Sequence, residues 1–250
     1  MSKRPSTPTR LTKAERKEQA RRERAELQRK MARTKRTRRI LTVLTAIVAA
    51  GAIAFAVTRP GPEVADPQDL LARADTAVAA AGCTDIENVG PYQPDSQDQA
   101  HVPTEETPPL SRYPSIPPAS GPHNGVPLGA GVYSTPPAVD RLIHSLEHGG
   151  VAIWYAPDAS AAAVEKLTTF YRENSEAGAR VIVAPYDYPG EGGAGQLPAD
   201  TSMAVVAWHT VRTCTDVDVA AAFDFSSRYA FPAFGGQEYA GEAPEPGAAM

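Results

Sequence analysis

The chain has 250 residues, enough for one or two domains, and its formal net charge is only −4 at pH 7. That total conceals a division, because residues 1–39 carry 16 Lys+Arg against 4 Asp+Glu, whereas residues 58–250 carry 9 against 25. The division excludes a single, evenly charged globular domain.

Residues 1–39 form the basic segment, which we interpret as a cytoplasmic segment that orients a membrane protein. Its most basic part, residues 12–39, has helix formers, few apolar residues and no aromatic residue. Anionic lipid is one candidate partner, because each basic residue near a membrane surface contributes about 1 kcal/mol. Charge alone would also suit nucleic acid, but we expect no nucleic-acid partner.

The next segment, residues 40–57, is uncharged and apolar ("ILTVLTAIVAAGAIAFAV"). As a helix its 18 residues would rise about 27 Å, close to the thickness of a bilayer's hydrocarbon core. We predict one transmembrane helix with a cytoplasmic N-terminus, since basic flanks stay inside. The C-terminal part would then be extracytoplasmic. A cleaved signal peptide, with Ala54-Phe55-Ala56 as the cleavage site, is the alternative, although its basic region would be unusually long.

Residues 58–67 are Pro-rich and predict a linker. Apolar residues then recur at helical spacing and predict a helix that Asp66 caps, Pro67 opens and Gly82 ends. Residues 84–124 are again rich in Pro, but also hold Tyr, Ile and His, so we expect an ordered loop draped over the domain.

From Gly131 onward, strands and helices alternate, and two strands then adjoin. This order predicts an α+β or α/β domain with a mixed sheet over residues 68–235, outside the membrane. The order β-α-β-α-β-β-α is also that of thioredoxin-like domains, although no C-x-x-C is present. Residues 236–250 are predicted to be a disordered tail. The predicted strands are 131–135, 151–157, 179–186 and 203–211, and the predicted helices are 137–149, 160–174 (capped by Ser160) and 216–229.

Cys83 and Cys214 are the two cysteines of the chain, and both follow the predicted membrane segment. In an oxidising compartment such a pair predicts a disulfide. The 131-residue separation would give a stabilisation of about 5 kcal/mol in the chain-entropy model. A redox-active pair is the alternative.

Several short motifs carry a family resemblance: "AAGC" (80–83), His101-Val102, "PPASGPH" (117–123), "GVY" (131–133), "HSLEHGGVAIWY" (144–155), "VAW" (206–208) and "APE" (243–245). With them, roughly residues 80–245 resemble a bacterial domain of unknown function, DUF3105. The resemblance implies a membrane-anchored extracytoplasmic domain and supplies no activity. The family more typically has Gly-Arg after the Trp, where this chain has His209-Thr210, which argues against an essential role for His209.

The motif "HSLEHGG" puts His144, Glu147 and His148 on one side of the predicted helix. It matches the H-x-x-E-H pattern of inverted zinc peptidases. A peptidase also needs a third ligand, an open coordination position and a helix that continues, whereas Gly149-Gly150 ends this one. We therefore assign no catalytic residue, and an enzyme is not favoured. In the simplest alternative, His148 meets the helix's last carbonyls and Glu147 pairs with a basic group.

Four of the five histidines lie between residues 101 and 148. This clustering suggests a divalent metal site formed by His101, His123, His144 and His148, with Glu147 as a ligand or a supporting group. Imidazole and carboxylate without thiolate suit Zn²⁺ or Cu²⁺. A different hypothesis is a cell-envelope interaction module without metal, in which the "PPASGPH" loop, Tyr113, Tyr133 and Trp154 bind a protein or glycan partner.

Overall fold

The computed structural model describes residues 64–250 and, before them, only residues 18, 21, 30, 31, 42 and 45. Most of the predicted basic segment, of the apolar segment 40–57 and of the linker, and the whole alternative cleavage site, therefore lie outside the described residues. Among the helices of the described part, none is both long and apolar enough to cross a membrane.

A mixed sheet of six strands organises residues 64–250, in the order β1-β6-β5-β3-β4-β2. Strand β4 pairs in parallel with β2 and β3, and the other neighbours are antiparallel. The predicted α+β domain with a mixed sheet is thereby confirmed. The strands are β1 (Glu87–Asn88), β2 (Gly131–Val132), β3 (Val151–Tyr155), β4 (Val181–Pro185), β5 (Met203–Ala207) and β6 (Thr210–Cys214).

Residues 64–250 also contain five α-helices, which cover the two faces of the sheet. They are α1 (Pro67–Ala72), α2 (Ala74–Ala80), α3 (Val139–Glu147), α4 (Ala161–Glu173) and α5 (Val219–Tyr229). Short 3₁₀ turns occupy Asp95–Gln97, Thr104–Glu106, Leu110–Arg112, Pro189–Gly195 and Phe234–Gly236.

The helix ends test the predicted caps. The Asp66 side chain accepts a hydrogen bond from the Gln68 amide, as expected of a cap, but the single predicted helix is interrupted at Arg73. Ser160 precedes α4, yet within the described residues its side chain makes no capping hydrogen bond, so that predicted cap is wrong. Asp218 instead caps α5, accepting from the amides of Ala220 and Ala221.

Both faces of the sheet are covered, which explains why its central strands are continuous apolar runs. Helices α1, α2, α4 and α5 pack on one face around residues such as Ile153 and Val205. Helix α3 and the Pro-rich segment pack on the other, around Trp154 and Ile182. The apolar positions predicted to face inward from α3 are all buried, namely Val139, Leu142, Ile143 and Leu146.

The strand predicted over 203–211 is a hairpin. Strand β5 ends at Ala207, Trp208 and His209 form the turn, and β6 begins at Thr210. His209 adopts a left-handed conformation with φ 56°, which the sequence did not signal because the turn contains no Gly, Pro or Asn. From β2 onward the observed order is β-α-β-α-β-β-β-α, which has one strand more than the predicted thioredoxin-like order.

The predicted disulfide is confirmed, because Cys83 and Cys214 are bonded and join the chain before β1 to the end of β6. Residues 236–250, predicted to be a disordered tail, differ from that expectation. The Ala240 amide donates to the Arg228 carbonyl, and residues 243–250 run along the end of α3. We call residues 243–250 the C-terminal strap. Its Pro, Gly and Ala content gives no periodic signal, but its backbone finds partners in the fold.

Candidate metal site

Helix α3 supplies three polar side chains that face inward. His144 and Glu147 lie in its last turn, and His148 follows as the C-cap. Spacings of three and four residues place all three on one helical face. All are buried, with Glu147 only 2% exposed. Buried groups of this kind need partners, because desolvating a carboxylate or an imidazole without one is costly.

The Gly-Gly pair after His148 fixes the end of this helix. The Gly149 amide donates to the Leu146 carbonyl at 3.0 Å, and the Gly150 amide donates to the Ser145 carbonyl at 2.8 Å. Gly149 has φ 84°, which side chains rarely adopt. This is the Schellman arrangement of a helix C-terminus. It stops the helix one residue after Glu147 and thereby holds His148 beside the other two groups.

The Pro-rich segment supplies His101 and His123, which form an isolated parallel β-bridge. The Val102 amide donates to the His123 carbonyl at 2.8 Å, and the His123 amide donates to the Ala100 carbonyl at 2.9 Å. The same segment is tied to α3, where Ser145 Oγ donates to the Leu128 carbonyl at 2.6 Å. The expected ordered loop is therefore present and carries two imidazoles over the helix.

The ring nitrogens and the carboxylate meet at short distances. Glu147 Oε2 lies 3.2 Å from His101 Nε2 and 3.0 Å from His123 Nε2. His144 Nε2 lies 2.9 Å from His148 Nε2. One ligand atom from each of His101, His123, His144 and Glu147 falls within 4.8 Å of the others. His101 is the exposed member, with 49% of its side chain accessible, so the cluster has one open side.

Backbone carbonyls determine which nitrogen of each buried ring carries a proton. Nδ1 of His123 lies 2.7 Å from the Gly121 carbonyl, that of His144 lies 2.8 Å from Asn124 and that of His148 lies 2.6 Å from Ala249. A carbonyl only accepts, so each Nδ1 must donate. In a neutral ring Nε2 then carries a lone pair. This arrangement is usual for metal-ligating histidines, whose other nitrogen is held by a carbonyl or carboxylate.

Two contacts in the cluster therefore bring acceptors face to face. The lone pairs of His144 Nε2 and His148 Nε2 point at each other, and that of His123 points at the Glu147 carboxylate. Either a proton or a metal ion between the atoms relieves the repulsion. Burial, together with the charges of His123, His148 and His101, lowers the pKa of His144 despite its hydrogen bond to Asn124. A proton on His144 near neutral pH is thus disfavoured.

Glu147 is held as the anion. Burial alone would raise the pKa of its carboxyl group, but His123 and His101, when their Nε2 atoms are protonated, donate hydrogen bonds to the carboxylate and add positive charge. These effects outweigh burial, so the pKa of Glu147 lies below its usual range. The cluster thus combines a fixed carboxylate with converging imidazole nitrogens, a donor set that suits a divalent transition metal.

The structure brings four of the residues singled out from the sequence into one group, namely His101, His123, His144 and Glu147, and His148 adjoins this group through its 2.9 Å contact with His144. It leaves His209 outside this group, where His209 Nε2 donates to Asp98 Oδ2 at 2.7 Å. The peptidase interpretation fits less well. A general base must be free to contact water, whereas the Glu147 carboxylate lies between two imidazoles and contacts both.

The residues proposed for a partner-binding surface are mostly buried. Tyr113 is 7% and Trp154 1% exposed, and the segment 117–123 is buried throughout. Tyr113, Trp154 and this segment fill the core beside α3 and offer a partner almost no exposed surface, whereas Tyr133 is only partly buried. The interaction-module hypothesis itself stays a prediction. Sequence reasoning in turn missed the strap and the carbonyls that orient the rings, since no side-chain pattern marks a carbonyl.

The residues of the cluster lie within a region that matches a known protein family. A sequence model described as "Protein of unknown function (DUF3105)" matches residues 101–248, which include the whole cluster and most of the strap. The chain belongs to the DUF3105 family. No curated protein matches it, and no solved structure does. The DUF3105 description carries no activity, so a function for this domain must be argued from the cluster.

Proposed function

We propose that this DUF3105 domain binds one divalent transition-metal ion, zinc or copper, through ring nitrogens of His101, His123 and His144 and the carboxylate of Glu147, whose ligand atoms lie within 4.8 Å of one another. His148, with Nε2 2.9 Å from His144 Nε2, is a further ligand of the same ion, and His101 lies at the solvent side. The observation that carries the proposal is the set of Nδ1–H donors fixed on backbone carbonyls, which directs the Nε2 lone pairs toward one another. A cation resolves a repulsion that the neutral side chains would otherwise suffer.

The spacing of the donor atoms supports this assignment. Two ligands that are each roughly 2 Å from a tetrahedral metal ion lie about 3.3 Å apart. The distances from Glu147 Oε2 to the two imidazoles, 3.0 and 3.2 Å, are close to that value, and the 2.9 Å between His144 and His148 is slightly shorter. Residues 58–250 carry 9 basic against 25 acidic residues, a charge that favours the approach of cations.

The experiment is a metal titration of the purified full chain, with Zn²⁺ and Cu²⁺ in separate arms. Metal at about 100 times its dissociation constant stabilises the folded state by about 2.7 kcal/mol, which raises the melting temperature by on the order of 5–10 °C. The double variant His144→Ala/His148→Ala should lose this shift. Circular dichroism without metal establishes that the variant is folded.

His209 offers a matched control, because it is a histidine that lies outside the cluster. His209→Asn, which tolerates the left-handed backbone, should keep the metal-dependent shift. Binding should also weaken in acid, since imidazole ligands must be deprotonated, and at His144 this loss should come below the ordinary imidazole value of 6.5 because burial lowers its pKa. If neither metal shifts the melting temperature of the wild-type chain, the proposal is wrong and the cluster is a structural end to α3.

We also propose that the domain is extracytoplasmic and anchored by residues 40–57, with the basic segment in the cytoplasm. The apolar length and the basic flank support the anchor, and the Cys83–Cys214 disulfide supports an oxidising compartment. A reporter enzyme that is active only outside the cytoplasm, fused after Met250, should be active. Activity of a cytoplasm-only reporter at that position would contradict the proposal, and a mature chain that starts near Val57 would replace the anchor with a signal peptide.

A further inference from the structure

The C-terminal strap is attached to the end of α3 by its backbone. The Glu245 amide donates to the Glu147 carbonyl and the Gly247 amide donates to the His148 carbonyl, each at 3.1 Å. Arg180 Nη1 donates both to the His148 carbonyl at 3.0 Å and to the Ala248 carbonyl at 2.9 Å. One guanidinium therefore joins strap and helix. The helix carbonyls involved are those that no amide within α3 could satisfy.

The strap also reaches the ligand atoms themselves. The Ala249 carbonyl accepts from His148 Nδ1 at 2.6 Å and so sets which nitrogen of that ring faces the cluster. The Glu245 side chain returns over the same ring, with Oε2 3.5 Å from His148 Nε2. Although 59% of the Glu245 side chain is exposed, its carboxylate lies beside the same ring nitrogen of His148 that faces His144.

We infer that Glu245 is a further ligand of the metal ion, delivered by the C-terminal strap, so that metal binding and docking of the strap stabilise each other. The inference rests on the proposed metal binding. Its basis is geometric, because Glu245 Oε2, His148 Nε2 and His144 Nε2 form a continuous chain of donor atoms at 3.5 and 2.9 Å. A second carboxylate also brings the anionic charge to two, which matches a divalent ion.

The chain offers a matched control in Glu242, which is 56% exposed on the same C-terminal segment. Glu242 Oε2 accepts from Asn88 Nδ2 at 3.1 Å and lies 3.7 Å from His209 Nδ1, outside the cluster. Glu245→Gln and Glu242→Gln each remove one exposed negative charge, so a general electrostatic effect would appear in both variants. A ligand effect would appear only in the first.

The test measures the affinity of the full chain for Zn²⁺ and Cu²⁺ by competition with a chelator. Glu245→Gln should weaken binding by at least about tenfold, and Glu242→Gln should leave it within about twofold of wild type. In parallel, hydrogen exchange at the Glu245 and Gly247 amides should slow when metal is added to the wild-type chain, because both amides hold the strap on α3.

The outcomes separate the two proposals. If the wild-type chain binds metal but both variants bind equally well, Glu245 is not a ligand, while the histidine site stands. If metal leaves exchange at the strap unchanged, the coupling is absent and the inference is overturned as well. Failure of the wild-type chain to bind either ion overturns both proposals.

Discussion

Each buried imidazole of the cluster gives one nitrogen to a backbone carbonyl and turns the other toward its neighbours. His123 is the most enclosed, with no exposed surface, and it joins the Gly121 carbonyl to the Glu147 carboxylate. His101 contacts the same carboxylate from the solvent side. His101 and His123 therefore contact the same carboxylate, that of Glu147, and differ mainly in how far their side chains are buried.

This difference makes a prediction for the chain in the presence of a chelator. His123→Ala should lower the free energy of unfolding by about 2–4 kcal/mol, because it leaves a buried carboxylate and a carbonyl short of a partner. His101→Ala should lower it by no more than about 1 kcal/mol, since water can replace an exposed imidazole. Urea denaturation of both variants at pH 7 measures the two values, and equal losses would contradict the assigned burial.

Asp98 is a second buried carboxylate, and it gives a prediction on pH. It accepts hydrogen bonds from the Tyr92 amide, Ser120 Oγ and His209 Nε2 at 2.6, 2.6 and 2.7 Å. Burial would raise the pKa of Asp98, but these bonds outweigh burial and hold it below the ordinary 3.8. The stabilisation is therefore complete above about pH 4 and is lost as the pH falls through the lowered value.

Asp98→Asn should thus destabilise the protein by about 1.5–3 kcal/mol at pH 7, and the difference from wild type should shrink as the pH is lowered toward 3. Urea denaturation at several pH values measures this difference. His209→Asn is the companion variant, since it removes one of the three donors. A gap between wild type and Asp98→Asn that stays constant from pH 7 to pH 3 would count against this account.

At the scale of elements, the end of α3 depends on two glycines for different reasons. Gly149 needs its positive φ, whereas Gly150 needs the absence of a side chain. A Cβ on Gly150 would lie 2.6 Å from the Ser145 carbonyl oxygen, which is backbone and cannot rotate away. The helix would have to unwind or shift, and His148 would move with it.

Gly150→Ala should accordingly cost about 1–3 kcal/mol of unfolding free energy and weaken metal binding as well. Gly190→Ala is the control, because a Cβ there would meet nothing within 4 Å. Thermal denaturation and metal titration of both variants provide the comparison. If Gly150→Ala matches the control in both measurements, the helix end is not what positions His148.

At the scale of the whole molecule, the disulfide closes the domain on itself. It joins Cys83, just before the first strand of the sheet, to Cys214 at the end of β6, across 131 residues. Reduction, or the double variant Cys83→Ser/Cys214→Ser, should lower stability by up to about 5 kcal/mol through the greater freedom of the unfolded chain. Urea denaturation with and without reductant measures this loss, and an unchanged midpoint would show that the bond is not a structural staple.

Periodic signals made much of the fold predictable. Helices α3, α4 and α5 and strands β3 and β4 were readable because their apolar residues recur at helical or buried-strand spacing. The β5–β6 hairpin was not, because His209 turns the chain inside a continuous apolar run. The two-residue strand β1 is too short to carry any pattern. The strap was missed because it docks by backbone hydrogen bonds, which composition does not encode.

The residues of the candidate site likewise differ in how far the sequence predicted them. Helical spacing alone brought His144, Glu147 and His148 together, whereas His101 and His123 entered only because they cluster in the sequence and lie in family-like motifs. Their actual contact depends on a parallel bridge between two loop segments, which no local pattern announces. Glu245 ends the family-like motif "APE", but no sequence pattern connected it with His148, which it reaches from the distant C-terminal strap.

The distance along the chain between His148 and Ala249 also determines how long after His148 its carbonyl partner is synthesised. The two residues are 101 positions apart. At about 5–20 residues per second, Ala249 is synthesised on the order of 5–20 s after His148. Throughout that interval the nascent chain already holds His101, His123, His144 and Glu147, while the His148 ring has no carbonyl to dictate its tautomer. The proposed metal site would therefore be completed only after Ala249 has been synthesised.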